Sequence, residues 1–110
     1  MAFSPALGLA VQVAERGQIY TSYDLNLWVP RASGTTDDLR AVTFFNGRVV
    51  VTGAAGRVLY ADGAGEFQPG VLAAPTTDWL ESVTASATLA VAVGDSGAIY
   101  TSTNGVHWKR

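Results

Sequence analysis

The chain has 110 residues, 48% apolar and 15% charged, with twelve glycines, no cysteine and a net charge of −2. That balance excludes a disordered polyelectrolyte, disulfides and cysteine-based metal sites, and it supplies no basic field for a phosphate backbone, so neither nucleic acid nor a cofactor is expected. No stretch approaches ~18 uninterrupted apolar residues, and the start Met1-Ala-Phe-Ser-Pro5 lacks the parts of a signal peptide, so neither a membrane span nor a leader is expected.

In chain order, the first unit (1 to about 34) begins inside a strand that Pro5 interrupts. A second strand is predicted at Val11-Gln-Val13, a turn at Ala14-Glu-Arg-Gly17, an alternating strand with Ile19 and Thr21, then a polar turn and Trp28. The second unit (35–75) is complete, with strands predicted at 39–45, 48–52, 57–61 and 66–72. Asn46-Gly47 joins the first two, because both residues tolerate the positive φ of a tight hairpin. The third unit (76–110) repeats this order and reaches only the start of its fourth strand at Arg110.

Three segments establish the repeat: Gly17-Gln-Ile-Tyr-Thr-Ser22, Gly56-Arg-Val-Leu-Tyr-Ala61 and Gly97-Ala-Ile-Tyr-Thr-Ser102. Their leading glycines fall 39 and 41 residues apart, and each is preceded at matching offsets by Val11-Gln-Val13, Val50-Val-Thr52 or Val91-Ala-Val93. Thr35-Thr-Asp37 likewise matches Thr76-Thr-Asp78. A period near 40 residues built from short β-rich runs predicts an all-β chain of four-stranded antiparallel units, about eleven strands in one repeat domain. The second strands are apolar on both faces, as strands covered by neighbours on each side must be.

The third-to-fourth turns carry a family resemblance. Ser22-Tyr-Asp24-Leu-Asn-Leu-Trp28 and Ser102-Thr-Asn104-Gly-Val-His-Trp108 resemble the Asp-box, the Ser-x-Asp-x-Gly-x-Thr-Trp hairpin of BNR and Asp-box β-propellers, which include sialidases, sortilin-like receptors and photosystem II assembly factor-like proteins. The middle copy, with Asp62 and Phe67, is degenerate; Asn104 replaces the Asp, and both clear copies are one residue short between Ser and Trp. The resemblance implies β-propeller blades, with Ser22, Asp24, Trp28, Asp62, Phe67, Ser102, Asn104 and Trp108 as turn and packing residues. Closed propellers have ~4–8 blades, so three units are expected to be completed by oligomerisation, most simply as a homodimer with six blades.

Chemistry is thinner. His107 is the only histidine, which excludes a multi-histidine metal site within one chain and disfavours a Ser-His-Asp triad, and its place just before Trp108 marks it as a strand-edge residue, so no catalytic residue is assigned. Trp79 stands where the repeat has Asp38, beside Asp78 and Glu81; with Asp37, Asp38 and Arg40 it forms the candidate ligand-binding group. Aromatic and polar side chains together suit a glycan or a protein. The expected role is a non-catalytic scaffold or binding module, with a carbohydrate-binding propeller second and an Asp-box hydrolase fragment last.

Overall fold

The computed structural model describes residues 1–63 and 65–110; Ala64, in the middle turn, lies outside them. Among the described residues the chain is all-β, with thirteen strands: β1 (Ala2–Ser4), β2 (Leu9–Val13), β3 (Ile19–Ser22), β4 (Val29–Arg31), β5 (Leu39–Phe45), β6 (Arg48–Gly53), β7 (Val58–Asp62), β8 (Gln68–Pro69), β9 (Val71–Leu72), β10 (Leu80–Ala85), β11 (Ala90–Gly94), β12 (Ile99–Ser102) and β13 (His107–Trp108). They form antiparallel sheet I (β1-β2-β3-β4), sheet II (β5-β6-β7-β8) and sheet III (β10-β11-β12), together with a parallel pair, β9 with β13. A bridge from Thr101 to Lys109 ties β13 back to β12.

The excess over eleven strands has two local causes. Pro5 does not remove the first strand: β1 ends before it and pairs Ala2 with Val11 and Ser4 with Leu9. The predicted fourth strand of the second unit breaks at Gly70, whose N–H returns to the Val58 carbonyl, while the next N–H, of Val71, crosses to the Val106 carbonyl. The predicted 66–72 strand therefore serves two sheets, β8 closing sheet II and β9 pairing with β13, which the Thr101–Lys109 bridge joins to the edge of sheet III.

The turns repeat closely. Before each leading glycine a non-glycine residue adopts positive φ, Arg16 at 59°, Ala55 at 56° and Ser96 at 58°, and the glycine follows at 71°, 67° and 71°. At Gly17 and Gly56 there is a second constraint, because a β-carbon would lie 2.0 Å from the Thr35 carbonyl oxygen or 2.3 Å from that of Thr76. Those threonines are the matching residues of the two Thr-Thr-Asp linkers, so each linker passes over the turn of the unit it leaves.

Sheet II lies between the other two, and alternation divides its side chains. Val49, Val51, Leu59, Ala61 and Phe67 face sheet I, where they bury Leu9, Val11 and Ile19. Val50, Val58 and Phe45 face sheet III, where they bury Leu80, Val83, Ala90, Ala92, Tyr100 and Trp108. Each buried Val or Leu contributes about 1.5–3 kcal/mol relative to exposure, which explains why β6 is apolar on both faces. The Tyr100 hydroxyl donates to the Ala74 carbonyl, so the ring is buried with its polar end satisfied.

Candidate functional site

The Asp-box-like turns are hydrogen-bonded from within. Ser22 Oγ accepts from the Leu25 N–H at 2.9 Å and the Asp24 N–H at 3.3 Å and donates to Asp24 Oδ1; that oxygen accepts from Asn26 and Leu27 N–H, both at 2.9 Å. Ser102 and Asn104 reproduce the pattern, with Gly105 N–H to Ser102 Oγ at 2.8 Å and Val106 and His107 N–H to Asn104 Oδ1 at 2.8 and 2.9 Å. The N–H donors of Leu27 and then Asn26 hold the Asp24 carboxyl below the usual carboxylate range. Asn104 makes the same bonds with a neutral amide, so the turn requires an acceptor oxygen and not a charge.

Asp62 does not occupy that role. Its side chain sits one position earlier than the turn carboxylate and pairs with Arg48 Nε at 2.9 Å. With Ala61 in place of the serine, sheet II holds its turn by backbone bonds instead, including Gly63 N–H to the Gly47 carbonyl.

Of the candidate ligand group, three residues converge. The Arg40 guanidinium lies over the Trp79 ring, 4.9 Å from its centroid, and its Nε pairs with Glu81 at 2.9 Å. One ring face of Trp79 is thus already stacked, and a planar ligand there has the opposite face or must displace Arg40. The other members are engaged in stitching linkers to turns: Asp38 Oδ1 accepts the Arg16 N–H at 2.9 Å, and Asp37 pairs with Arg57 at 2.8 Å. Arg57 holds the Asp37 carboxyl below its ordinary range. Asp78 accepts the Gly56 N–H through its backbone carbonyl and faces Ser96 Oγ with its carboxylate at 3.5 Å.

Arg31 and Arg57 were not singled out from the sequence, yet both line an open 810 Å³ cleft with Tyr20, Ser33, Thr35 and Asp37 on its walls. Arg31 Nε donates to Thr21 Oγ1 at 2.9 Å. Two guanidinium groups and one carboxylate there can orient a polar ligand. The Arg40–Glu81 pair had a readable signal, since the two residues occupy equivalent repeat positions with opposite charge. His107 is exposed, with Nδ1 3.4 Å from Asn104 Nδ2. Among the described residues no group of three or more His, Asp or Glu is placed to hold a metal ion.

Two broader surfaces are apolar. Sheet III turns Val93 (40% exposed), Ile99 (54%) and Leu89 outward, and sheet I turns Phe3 (51%) outward, with Tyr20 and Trp28 half-buried. No protein-family model matches this chain, and a search of the curated proteins finds no match.

Proposed function

We propose that sheets I, II and III are blades of an Asp-box-type β-propeller and that the chain is a non-catalytic binding or scaffolding module whose ring closes by self-association. One observation carries the reading: both internal junctions use the same repeat positions. Counted from the leading glycines, Val11 and Ile19 at the first junction correspond to Val50 and Val58 at the second, and the opposing Val49, Val51, Leu59 and Phe67 correspond to Ala90, Ala92, Tyr100 and Trp108. A stack that repeats one junction is the arrangement in which successive sheets turn about a common axis.

The turn chemistry agrees, since Ser22 with Asp24 and Ser102 with Asn104 form the self-bonded hairpin that the Asp-box resemblance implies. The charged side chains of the candidate group and of the cleft are paired with one another as Arg40–Glu81 and Arg57–Asp37, an arrangement suited to holding a surface in shape. Sedimentation and native mass spectrometry at micromolar concentration test this reading. A discrete closed assembly, most simply two copies and six sheets, is expected; an open polymer of undefined length, or turnover of a fluorogenic sialoside that is lost in Arg40→Ala, overturns it.

A further inference from the structure

We infer that a second copy of this chain docks head to tail, the Trp28 face of sheet I seating on the Ile99 face of sheet III. This rests on the repeated-junction reading above and adds the direction of docking and the residues that select it. Phe67 points from sheet II into sheet I, and Trp108 points from sheet III into sheet II. Trp28 is their counterpart, and by the same alternation it points out of sheet I on the side away from sheet II, where it is half-buried. Val91, Val93 and Ile99 are in turn the counterparts of Val11, Val13 and Ile19, which are packed against sheet II, but on sheet III they face outward.

What selects a second copy is a matched pair of substitutions at one point of the junction. Between sheets II and III, Gly105 has no side chain, and a β-carbon there would stand 3.2 Å from Val50, 3.3 Å from Arg48 and 3.5 Å from Phe45. In sheet I the Gly105 position is Leu25, which keeps the left-handed conformation at φ 66° and leaves a 55% exposed side chain. A bulky residue is disfavoured in that conformation, and glycine would adopt it freely. On sheet III the positions of Phe45, Arg48 and Val50 are Ser86, Leu89 and Val91.

The side that gains a leucine therefore meets a side that has lost a phenylalanine ring. The guanidinium that donates to the Asn104 carbonyl at 2.6 Å inside the chain is replaced by the apolar Leu89, and the polar Thr103 position by the exposed Tyr23. A hollow of 390 Å³ opens beside Leu89 and Thr103, the counterparts of Arg48 and Asp62. Volume and polarity change together on the two outer faces, in opposite senses for volume and in the same sense for polarity, so these faces fit each other better than either fits sheet II.

The experiment uses two full-length variants, each checked for an intact fold by circular dichroism. Ile99→Glu disables only the sheet III face, and Leu25→Glu disables only the sheet I face. Head-to-tail docking predicts that wild-type protein assembles, that each variant alone sediments as a monomer, and that an equimolar mixture forms one-to-one pairs. It also predicts that Leu25→Gly and Ser86→Phe each weaken association by about tenfold or more, as disruption of a central contact does, and that the double variant recovers most of the loss because it restores the Gly105–Phe45 match. A monomeric wild type overturns the inference and leaves the faces to a further repeat unit or another protein. Self-pairing of either variant also overturns it, because the faces then meet like to like, as does a mixture that stays monomeric while wild type assembles. If the variants pair while wild type forms open polymers, the docking stands and the closed ring fails.

Discussion

Replacing the leading glycines by alanine separates backbone conformation from packing, because the three sites share the first and differ in the second. All three sit at φ between 67° and 71°, where an L-residue costs ~1–2 kcal/mol, partly offset by ~0.4–1 kcal/mol from the reduced freedom of the unfolded chain. Around Gly97 nothing lies within 4 Å of the new β-carbon, so Gly97→Ala carries the conformational cost alone, a net of ~1 kcal/mol. In Gly17→Ala the methyl meets the Thr35 carbonyl oxygen at 2.0 Å and Ser33 Oγ at 2.8 Å, and in Gly56→Ala it meets the Thr76 carbonyl oxygen at 2.3 Å. The obstruction is backbone, so the linker must lift, which adds ~1–3 kcal/mol for overpacking and strains the Gly56 N–H to Asp78 carbonyl bond. A total of ~3 kcal/mol corresponds to ~12–24 °C in Tm, against ~4–8 °C for Gly97→Ala. Thermal and urea unfolding at one fixed protein concentration, followed by tryptophan fluorescence, give the comparison. Equal losses at all three sites would refute the packing argument, and a Gly17→Ala protein as stable as wild type would refute the turn geometry itself.

Trp108→Ala is expected to cost ~3–5 kcal/mol, as large aromatic truncations in a core do, because the ring is 1% exposed; a two-state urea midpoint close to that of wild type would contradict its place between sheets II and III. Ser102→Ala removes the acceptor for Gly105 and Asn104 N–H and is expected to destabilise by ~1–2 kcal/mol, as loss of a turn-capping hydroxyl does; an unchanged unfolding midpoint would show that the hydroxyl does not hold the turn. The Asp24 carboxyl has a folded pKa below its unfolded value, so its contribution is complete above about pH 4 and declines as pH falls through the depressed folded value. Asp24→Asn should therefore match wild type near neutral pH, as Asn104 does natively, and lose less stability on acidification; identical acid profiles would contradict the cause assigned to the shift. Trp79→Ala is expected to cost less than ~1 kcal/mol, since its stacked partner Arg40 is half-exposed and exposed cation–π pairs contribute ~0.5–1 kcal/mol; an unfolded variant would place Trp79 in the core.

The sequence alone determined the all-β character and the repeat register. Strand propensity and the need for glycine at positive φ are local properties, so the three Gly turns and the β5 boundaries, Leu39–Phe45, were legible without neighbours. Side-chain alternation is also local, which is why β6 could be read as covered on both faces. Tertiary structure decided what each position meets. Trp28, Phe67 and Trp108 occupy one offset, yet Phe67 and Trp108 are buried and Trp28 is half-buried, because burial depends on the sheet against which each ring packs. The split of the fourth strand at Gly70 depends on a bond to Val106 in a different unit, and the pairing of Arg57 with Asp37 joins β7's entry to a linker twenty residues earlier. The same holds for the candidate site: the break in the repeat pointed to Trp79, but only the folded chain lays Arg40 across it and consigns Asp37, Asp38 and Asp78 to holding turns. Local conformational preference is written residue by residue, whereas the partner of a charged or aromatic side chain is fixed by which sheets stack.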